Sequence, residues 1–317
     1  MSDTTRPQSS SILIRGTGAL ATLFAWRLTN AGYDVTMLGS WQLGLRALRE
    51  KGARLVDAHG NERALPVRVA EHPDECRGIA QAIVLVKSWQ TELAARQLRE
   101  CLAPDGLALT LQNGLGNAET LGSSLGSDRV VLGTTTTGAT LLGPGLVKAA
   151  GEGPVSVQSH PGLAPLISAL KSGGFEVKEV TDATSLLWGK LVINSAINPL
   201  TALLRVANGE LLNRPAAREL MRRLAEETAA VARAEGVKLP FVNPAAMVEE
   251  VAQRTGSNYS SMLQDIRRGA PTEIDAICGA VASIGERDGV ATPLNEACWQ
   301  LVSALTQPVE VAPEPQR

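Results

Sequence analysis

A lysine and two asparagines recur at four-residue intervals in a strongly apolar stretch, and their chemistry is the first clue to function. Lys190, Asn194 and Asn198 interrupt residues 185–204, which read SLLWGKLVINSAINPLTALL. Each four-residue step turns about 40° on an α-helix, so the three side chains share one narrow face. An ammonium group and two amides in such a helix are costly unless partners pair with them. The stripe therefore indicates either the floor of an active site or a row of structural hydrogen bonds.

A glycine-rich turn near the start of the chain supplies a second kind of chemistry. The string RGTGALA joins a predicted strand at 12–15 to a predicted helix at 19–30. In this GxGxxA spacing, Gly16 permits a tight turn, Gly18 lets the backbone approach a pyrophosphate, and Ala21 allows close helix–strand packing. The residues expected to bind a dinucleotide at the helix N-terminus are Gly16, Thr17, Gly18, Ala19 and Leu20.

The end of the second predicted strand bears on which dinucleotide binds. Chains that bind NAD usually place Asp or Glu there to hold the ribose hydroxyls, whereas this chain has Leu38-Gly39-Ser40. The missing acid favours NADPH over NADH. Ser40 and Arg46 are the available donors for the additional phosphate, and Arg46 also fits an ordinary surface position. No basic residue adjoins Ser40, so the sequence leaves a strict preference for NADPH open.

Two later loops follow predicted strands, at the position where open α/β sheets bind ligands. The loop KSWQ begins with Lys87 after the strand at 82–86, and QNGLG contains Asn113 after the strand at 107–111. The two side chains are therefore candidates to face a cofactor or a substrate. Polar residues also occupy such positions merely to cap strand ends.

Strands alternate with helices up to about residue 180. The further elements predicted here are strands at 34–38, 154–158 and 175–180, helices at 41–51, 91–101 and 161–172, and short strands and turns between 130 and 153. Fully apolar strands that alternate with helices form parallel sheets covered on both faces. Together with the glycine turn, this pattern predicts a Rossmann-type, NADP-binding domain over residues 11–181.

The pattern changes to helices alone after residue 181. Predicted helices cover 184–205, 214–235, 243–253, 273–287 and 293–305. The predicted fold class is therefore α/β, with the N-terminal Rossmann-type domain followed by an all-helical substrate and catalytic domain over residues 182–306. Residues 1–10 and 307–317 are polar or rich in proline and are expected to be disordered tails.

The composition argues against several partners. The formal net charge of the 317 residues is −2, so nothing suggests nucleic acid or an anionic membrane as partner. The apolar segment 185–204 carries Lys190 and Pro199 and is not predicted to span a membrane. The N-terminus lacks the apolar core of a signal peptide, and the cysteines and histidines form no CxxC, HxxxH or HxH pattern. A cytoplasmic protein with reduced thiols and no metal site is expected.

A second group of polar residues lies in the predicted helical domain. The string SNYSSMLQD covers residues 257–265, and PTEID covers residues 271–275. Residues 258–261 can open a short helix, with a serine as its N-cap. Thr272 can cap the next helix and leave Glu273 in its first turn, where the helix dipole favours an anion. Two well-capped helices explain these strings equally well.

These motifs together resemble the ketopantoate reductases, also called 2-dehydropantoate 2-reductases, over nearly the whole chain. The resemblance rests on the glycine turn, on Lys87, on Gln112-Asn113-Gly114, on the stripe from Lys190 to Asn198 with the PLTAL that follows it, and on the strings SSMLQD and PTEID. The stripe and these two strings are specific, because unrelated proteins would rarely carry them in this order and separation. The chain departs from the family where Leu38-Gly39-Ser40 replaces a basic residue.

The resemblance implies NADPH-dependent reduction of a small 2-oxo acid to a 2-hydroxy acid, with ketopantoate as the expected substrate on the route to pantothenate and coenzyme A. It implies that Lys190 is the general acid and that Glu273 is its carboxylate partner. The residues implied to bind substrate are Asn113, Asn194, Asn198, Ser261 and Lys87, and those implied to contact the cofactor include Lys87, Asn113 and Glu273. A lysine suits this chemistry because hydride delivery to a carbonyl leaves an alkoxide that needs a proton.

Three alternatives stay open at this point. The chain could reduce a different small 2-oxo acid, could be a β-hydroxy acid dehydrogenase with a similar helical domain, or could be a non-catalytic NADP(H) sensor. A sensor would keep the glycine turn and lose the catalytic groups, yet Lys190 and Glu273 are both present. The strings SSMLQD and PTEID argue against a β-hydroxy acid dehydrogenase. The apolar helical domain is compatible with a homodimer without requiring one.

Overall fold

The computed structural model of this protein describes residues 11–307. The chain divides into two compact units, and the boundary in sequence lies between Thr184 and Ser185. The tails predicted at 1–10 and 307–317 lie outside the described residues, apart from Gln307.

The first unit alternates strands and helices. Its strands are β1 (Ile12–Arg15), β2 (Val35–Leu38), β3 (Ala53–Val56), β4 (Glu62–Leu65), β5 (Arg68–Ala70), β6 (Ile79–Val84), β7 (Leu102–Thr110), β8 (Val130–Thr135), β9 (Gly138–Gly143), β10 (Leu146–Gly151), β11 (Val155–Gln158) and β12 (Val177–Val180). Its α-helices are α1 (Ala19–Asn30), α2 (Gln42–Lys51), α3 (Thr91–Cys101), α4 (Asn117–Leu125) and α5 (Ala164–Ser172). The predicted bounds of β1, α1 and α3 are confirmed, whereas β3, β4, β5 and α4 were not predicted.

An eight-stranded sheet forms the centre of the first unit, in the order β12-β11-β8-β7-β6-β1-β2-β5. The strands from β8 to β5 pair in parallel, as predicted for an α/β fold, but β11 runs antiparallel to β8. A second sheet of four strands, β4-β3-β10-β9, was not predicted. In the main sheet Arg15 pairs with both Leu38 and Val84, and Val84 pairs with Thr110. The carboxyl ends of β1, β2, β6 and β7 therefore lie side by side at one edge.

Successive residues of β1 bury opposite faces of this sheet. Ile12 and Ile14 pack into a core that includes Phe24 of α1, whereas Leu13 joins a separate core with Leu98 of α3. Burial on both faces explains why the central strands are apolar throughout. It also fixes the strand ends, and with them the loops that follow.

The second unit contains helices and, within residues 185–307, no strand. Its α-helices are α6 (Ala183–Leu204), which begins just before the boundary, α7 (Pro215–Ala234), α8 (Pro244–Arg254), α9 (Ser261–Arg267), α10 (Ala280–Asp288) and α11 (Pro293–Thr306). Helix α6 continues through Pro199. A π-helical turn, Asp275–Gly279, leads into α10, and such a turn usually accommodates one extra residue in a helix. None of the helices in the described part of the chain is long and apolar enough to cross a membrane.

Candidate active site

The glycine turn follows β1 and opens α1. Gly16 has a φ of 138°, and a Cβ at this position would lie 2.9 Å from the carbonyl oxygen of Leu85, so the fold itself excludes a side chain here. Gly18 has a φ of −83°, and a Cβ there would meet no atom of residues 11–307 within 4 Å. Packing therefore does not explain the glycine at 18, whereas the close approach of a pyrophosphate would.

The N-terminus of α1 is suited to an anion. No side chain caps it, and its first turn contains no acidic residue. Gly18, Ala19 and Leu20 are partly exposed there, so their surroundings leave room for a ligand. Thr17 is buried, and its side chain packs so closely on Gly39 that a Cβ at 39 would lie 2.5 Å from it. The residues present at this turn fit the phosphates of a dinucleotide.

The end of β2 lies directly beside this turn. The backbone N–H of Gly16 donates to the carbonyl oxygen of Leu38 at 2.9 Å. Ser40, two residues further on, is exposed, and Arg46 is exposed on α2. The structure therefore brings Ser40, which is distant in sequence, close to the glycine turn in space, as expected for a residue near an adenosine ribose.

A hydrogen-bond network ties together the loops that follow β6 and β7. The buried Gln112 uses its Nε2 to donate to Thr91 Oγ1 at 2.8 Å, and Thr91 Oγ1 lies 2.7 Å from Asn117 Oδ1. Asn117 Nδ2 in turn donates to the carbonyl oxygen of Asn113 at 3.0 Å. The same Thr91 hydroxyl lies 2.7 Å from the carbonyl oxygen of Ser88. The network therefore fixes the backbone of both loops.

Lys87 and Asn113 are half-buried in these two loops. Sequence reasoning singled them out but missed Thr91 and Asn117, which hold the loops in place. Each of these two residues is the first of a helix, α3 and α4 respectively, and such positions are commonly polar for local reasons. Because the network joins residues 26 positions apart, no local pattern could have indicated it.

The polar stripe of α6 lies on a helix that is mostly buried. Lys190 and Asn194 are partly exposed, and Asn198 is 7% exposed. Burial lowers the pKa of Lys190 to about 8, and the carboxylate of Glu273 acts in the opposite direction. Glu273 is itself 4% exposed. The structure thus brings Lys190 and Glu273 into electrostatic contact, although they lie 83 positions apart in the sequence.

The sequence predicted Glu273 in the first turn of a helix, but the structure places it outside that turn. The helix begins at Ile274, and Glu273 is the residue before it. Its carbonyl oxygen accepts from the N–H of Ile277 at 3.1 Å, which is the role of a cap position. The predicted cap, Thr272, makes only a long contact, in which its Oγ1 accepts from the N–H of Ile274 at 3.4 Å.

A second network fixes the end of the stripe against α9. Thr201 Oγ1 lies 2.7 Å from Ser260 Oγ and 3.0 Å from the carbonyl oxygen of Asn198. Ser260 caps α9 by accepting from the N–H of Leu263 at 3.1 Å. Ser261, the next residue, is exposed. The buried hydroxyl pair therefore sets where Asn198 and Ser261 lie relative to each other.

The predicted site residues form one group in each unit. In the first unit they follow strand ends at one edge of the sheet, and the residues are Gly16, Thr17, Gly18, Ala19, Leu20, Ser40, Lys87 and Asn113. In the second unit they lie on α6, at the start of α9 and before the π-turn, and the residues are Lys190, Asn194, Asn198, Ser261 and Glu273. No cluster of three or more His, Cys, Asp and Glu within residues 11–307 could hold a metal ion.

A groove elsewhere on the second unit does not belong to either group. It lies between α7 and α8, and none of the predicted site residues lines it. Arg218 and Glu249 face each other there at 2.8 Å, so their charges are already paired. The chemistry of the α6 stripe, rather than the size of this groove, identifies the candidate site.

Two family models match the chain. The model described as "Ketopantoate reductase PanE/ApbA" matches residues 12–162, and the one described as "Ketopantoate reductase PanE/ApbA C terminal" matches residues 182–306. Among similar proteins, the 2-dehydropantoate 2-reductase of Halobacterium salinarum is 36% identical over 298 residues, which cover 92% of this chain and 97% of that protein.

Two solved structures are similar to this chain over most of its length. The PanE/ApbA family ketopantoate reductase from Ralstonia eutropha JMP134 is 30% identical, with a TM-score of 0.87 over 93% of this chain and 98% of that one. The ternary structure of D-mandelate dehydrogenase with NADH and anilino(oxo)acetate is 27% identical, also with a TM-score of 0.87 and the same two coverages.

Proposed function

The chain belongs to the ketopantoate reductase family, and from that membership we propose that it reduces 2-dehydropantoate to pantoate with NADPH, on the route to pantothenate and coenzyme A. It is an oxidoreductase of the class that acts on CH–OH groups. Residues 11–181 would hold the cofactor, and residues 182–306 would carry the substrate and catalytic groups. A homodimer stays a prediction.

The state of Lys190 is the observation that carries this proposal. Burial lowers its pKa to about 8, and Glu273 keeps it from falling further. A lysine with this pKa is protonated near neutral pH and releases its proton far more readily than an exposed lysine. Such a group suits the protonation of an alkoxide, the step that must follow hydride transfer to a carbonyl.

Lys190 would act on the oxygen of the substrate's carbonyl group. As a cation it would draw negative charge towards that oxygen, and as an acid it would give its Nζ proton to it. Glu273 would hold the ammonium form before the reaction and favour its return to that form afterwards. Asn194 and Asn198 lie one and two helical turns further along α6, and their amides can donate to hydroxyl or carboxylate oxygens without adding charge.

The resemblance to the family implies substrate-binding residues within each unit. Ser261 is exposed at the start of α9, where its hydroxyl can donate to an oxygen of the substrate. Asn113 and Lys87 are half-buried at the ends of β7 and β6, and Lys87 adds a positive charge that suits a carboxylate. The Gln112–Thr91–Asn117 network would keep these two loops in place during binding.

The glycine turn fits a nicotinamide dinucleotide. Bound there, the cofactor would supply the hydride. The backbone at Gly16, Thr17, Gly18, Ala19 and Leu20 would meet its phosphates, and Ser40 would meet the adenosine ribose. The absence of an acid at Leu38-Gly39-Ser40 supports NADPH, although the similar D-mandelate dehydrogenase structure contains NADH.

A second candidate substrate is a different 2-oxo acid. The similarity to D-mandelate dehydrogenase favours it, because that structure contains anilino(oxo)acetate and shares both its TM-score and coverage with the ketopantoate reductase structure. A non-catalytic sensor is less well supported, because a partly buried lysine with a lowered pKa beside a buried carboxylate is costly to retain without a reaction to catalyse.

A panel of 2-oxo acids, each measured with NADPH and with NADH, tests the proposal. We expect the highest kcat/KM for ketopantoate with NADPH. The absorbance of the reduced nicotinamide measures the rate. A higher kcat/KM for an aryl or another alkyl 2-oxo acid would replace ketopantoate as the substrate. Tight NADPH binding with no turnover on any acid would contradict the enzymatic role itself.

A further inference from the structure

An arginine with no carboxylate partner among the residues that the structure describes lies in the core of the first unit. Arg15, the last residue of β1, is 1% exposed, and its Nη1 donates to the carbonyl oxygen of Leu38 at 3.2 Å. Its Nε and Nη2 have no hydrogen-bond partner among the described residues. Burial lowers the pKa of Arg15 to about 10, and its electrostatic interaction with Cys101 acts in the opposite direction. A cation buried in this way needs a nearby anion.

Two buried cysteines lie close together on the same face of the sheet. Cys76 ends the 3-10 turn Pro73–Cys76, Cys101 ends α3, and their sulfur atoms are 3.2 Å apart. Each thiol also lies within hydrogen-bonding distance of the carbonyl oxygen of Pro73, at 3.5 Å and 3.4 Å respectively. Both belong to the α3-side core, Cys76 being 6% and Cys101 0% exposed. Both are free thiols here.

The two thiols differ in their readiness to ionise. The hydrogen bond from Cys101 lowers the pKa of Cys76, with Arg68 acting in the same direction and Glu75 and Asp74 against it. That same hydrogen bond, together with burial, raises the pKa of Cys101. Cys76 is therefore the nucleophile of the pair, and it is also the more exposed of the two. Cys101 is positioned as the resolving thiol, which attacks the oxidised sulfur of Cys76.

We propose that Cys76 and Cys101 form an oxidative modification site, at which hydrogen peroxide converts the two thiols into an intramolecular disulfide. The Cys76 thiolate attacks one peroxide oxygen, the O–O bond breaks, and hydroxide leaves while Cys76 becomes a sulfenic acid. The sulfur of Cys101 then attacks the sulfur of Cys76, the S–O bond breaks, and the departing hydroxide takes the Cys101 proton. Two thiols lose two electrons in total, and one peroxide becomes two waters.

The geometry makes the second step short. The sulfur atoms must approach from 3.2 Å to about 2.05 Å, a movement of about 1.2 Å. The positive charge of Arg15 lowers the pKa of Cys101 and so favours loss of the Cys101 proton in this second step. This proposal concerns the first unit alone and does not depend on the reaction that the enzyme catalyses.

The other two cysteines provide an internal control. Cys278 and Cys298 are also buried, but the contact of Cys278 Sγ is with the carbonyl oxygen of Ser195 at 3.8 Å. Burial raises the pKa of Cys278 and raises that of Cys298 to about 11. Neither of them is expected to ionise near neutral pH, so both should resist peroxide.

Peroxide treatment of the reduced, full-length protein tests the site. After trapping free thiols in denaturant and digesting the protein, mass spectrometry should show the peptides of Cys76 and Cys101 joined, and those of Cys278 and Cys298 alkylated. Dithiothreitol should reverse the link. The melting temperature of the oxidised protein should rise by roughly 5 °C, because the bond closes a loop of about 25 residues.

Variants separate the roles of the three residues. Cys76→Ser and Cys101→Ser should each abolish the link, and Cys278→Ser should leave it unchanged; Cys76→Ala and Cys101→Ala replace the serine variants if these fold poorly. Arg15→Met should slow formation of the link about tenfold, because the charge of Arg15 favours ionisation of Cys101, and Arg15→Lys should retain most of the rate. The proposal is overturned if Cys76 accumulates as sulfinic acid without a link to Cys101, or if all four cysteines oxidise at similar rates.

Discussion

The glycine turn of the first unit and the polar stripe of the second prepare for a ligand in opposite ways. At the turn the fold excludes side chains: Gly16 has no space for a Cβ, and Gly18 leaves space that no atom in the described part of the chain fills. On α6 the fold instead keeps side chains that are expensive to bury, above all Lys190, whose pKa burial lowers to about 8. The first site consists of backbone groups, and the second consists of charged and polar side chains.

This difference predicts how substitutions should impair each site. A backbone site is spoiled by adding atoms, and the loss should appear in the affinity for the ligand. A site that depends on a charged side chain is impaired when that side chain loses its proton or its pKa changes, and the loss should appear in kcat. Substitutions in the two regions should therefore separate binding from turnover, and the expected effects below run from the largest to the smallest.

Replacement of the lysine should give the largest effect. Lys190→Ala should lower kcat for the reduction about 100- to 10,000-fold, because it removes both the proton and the positive charge at the developing alkoxide. The affinity for NADPH, measured by fluorescence titration, should change little. Lys171→Ala, at the exposed end of α5, is a matched control that should keep the full rate. Near-normal turnover of Lys190→Ala would remove Lys190 from the proposed mechanism.

Adding one methyl group at either glycine should distinguish the needs of the fold from those of the ligand. Gly16→Ala should weaken dinucleotide binding and also destabilise the protein by roughly 1–2 kcal/mol, because its φ disfavours a Cβ and Leu85 crowds it. Gly18→Ala should weaken binding about tenfold, equivalent to about 1.4 kcal/mol, with an unchanged melting temperature. Calorimetric titration and thermal denaturation measure the two quantities. Unchanged affinity in Gly18→Ala would show that the turn does not hold the cofactor.

Neutralising the carboxylate should give the smallest and most specific effect. Lys190 donates its proton only when protonated, so kcat/KM for reduction should fall as the pH rises through about 8. Glu273 raises the pKa of Lys190, and Glu273→Gln should therefore move this descending limb to lower pH, by about one unit. The pH profile of kcat/KM measures it. A limb that stays in place, or moves upward, would mean that another group titrates.

The sequence predicted the elements whose residues obey a simple pattern. Helix α3 was predicted with correct bounds because its apolar residues recur at helical spacing. Strand β6 was predicted to begin at Ala82, although it begins at Ile79, because Gln81 interrupts the apolar run. In the structure this glutamine is 7% exposed, and its Nε2 donates to the carbonyl oxygen of Gly162 at 3.1 Å. A polar residue whose amide group donates to a distant partner conceals a buried strand.

The elements that were missed lack such a pattern altogether. Strand β4, Glu62–Leu65, is mostly exposed and shows no apolar alternation, so only its pairing with β3 makes it a strand. Helix α4 reads NAETLGSSL, whose glycine and serines resemble a loop. In the candidate site, the types of Lys190 and Glu273 were informative, but their mutual effect depends on a contact between distant segments. The Thr91–Asn117 and Thr201–Ser260 contacts were hidden for the same reason.

The π-turn at Asp275–Gly279 has a consequence for how the chain tolerates changes in length. One residue of an α-helix corresponds to about 100° of rotation and 1.5 Å of rise. If a single residue were deleted from this turn, the segment could return to α geometry, and Glu273 would rotate by about 100° relative to the packed face of α10. Every functional side chain would still be present, yet the carboxylate would point away from Lys190. The pairing of these two groups is therefore set by the number of residues between them as well as by their identity.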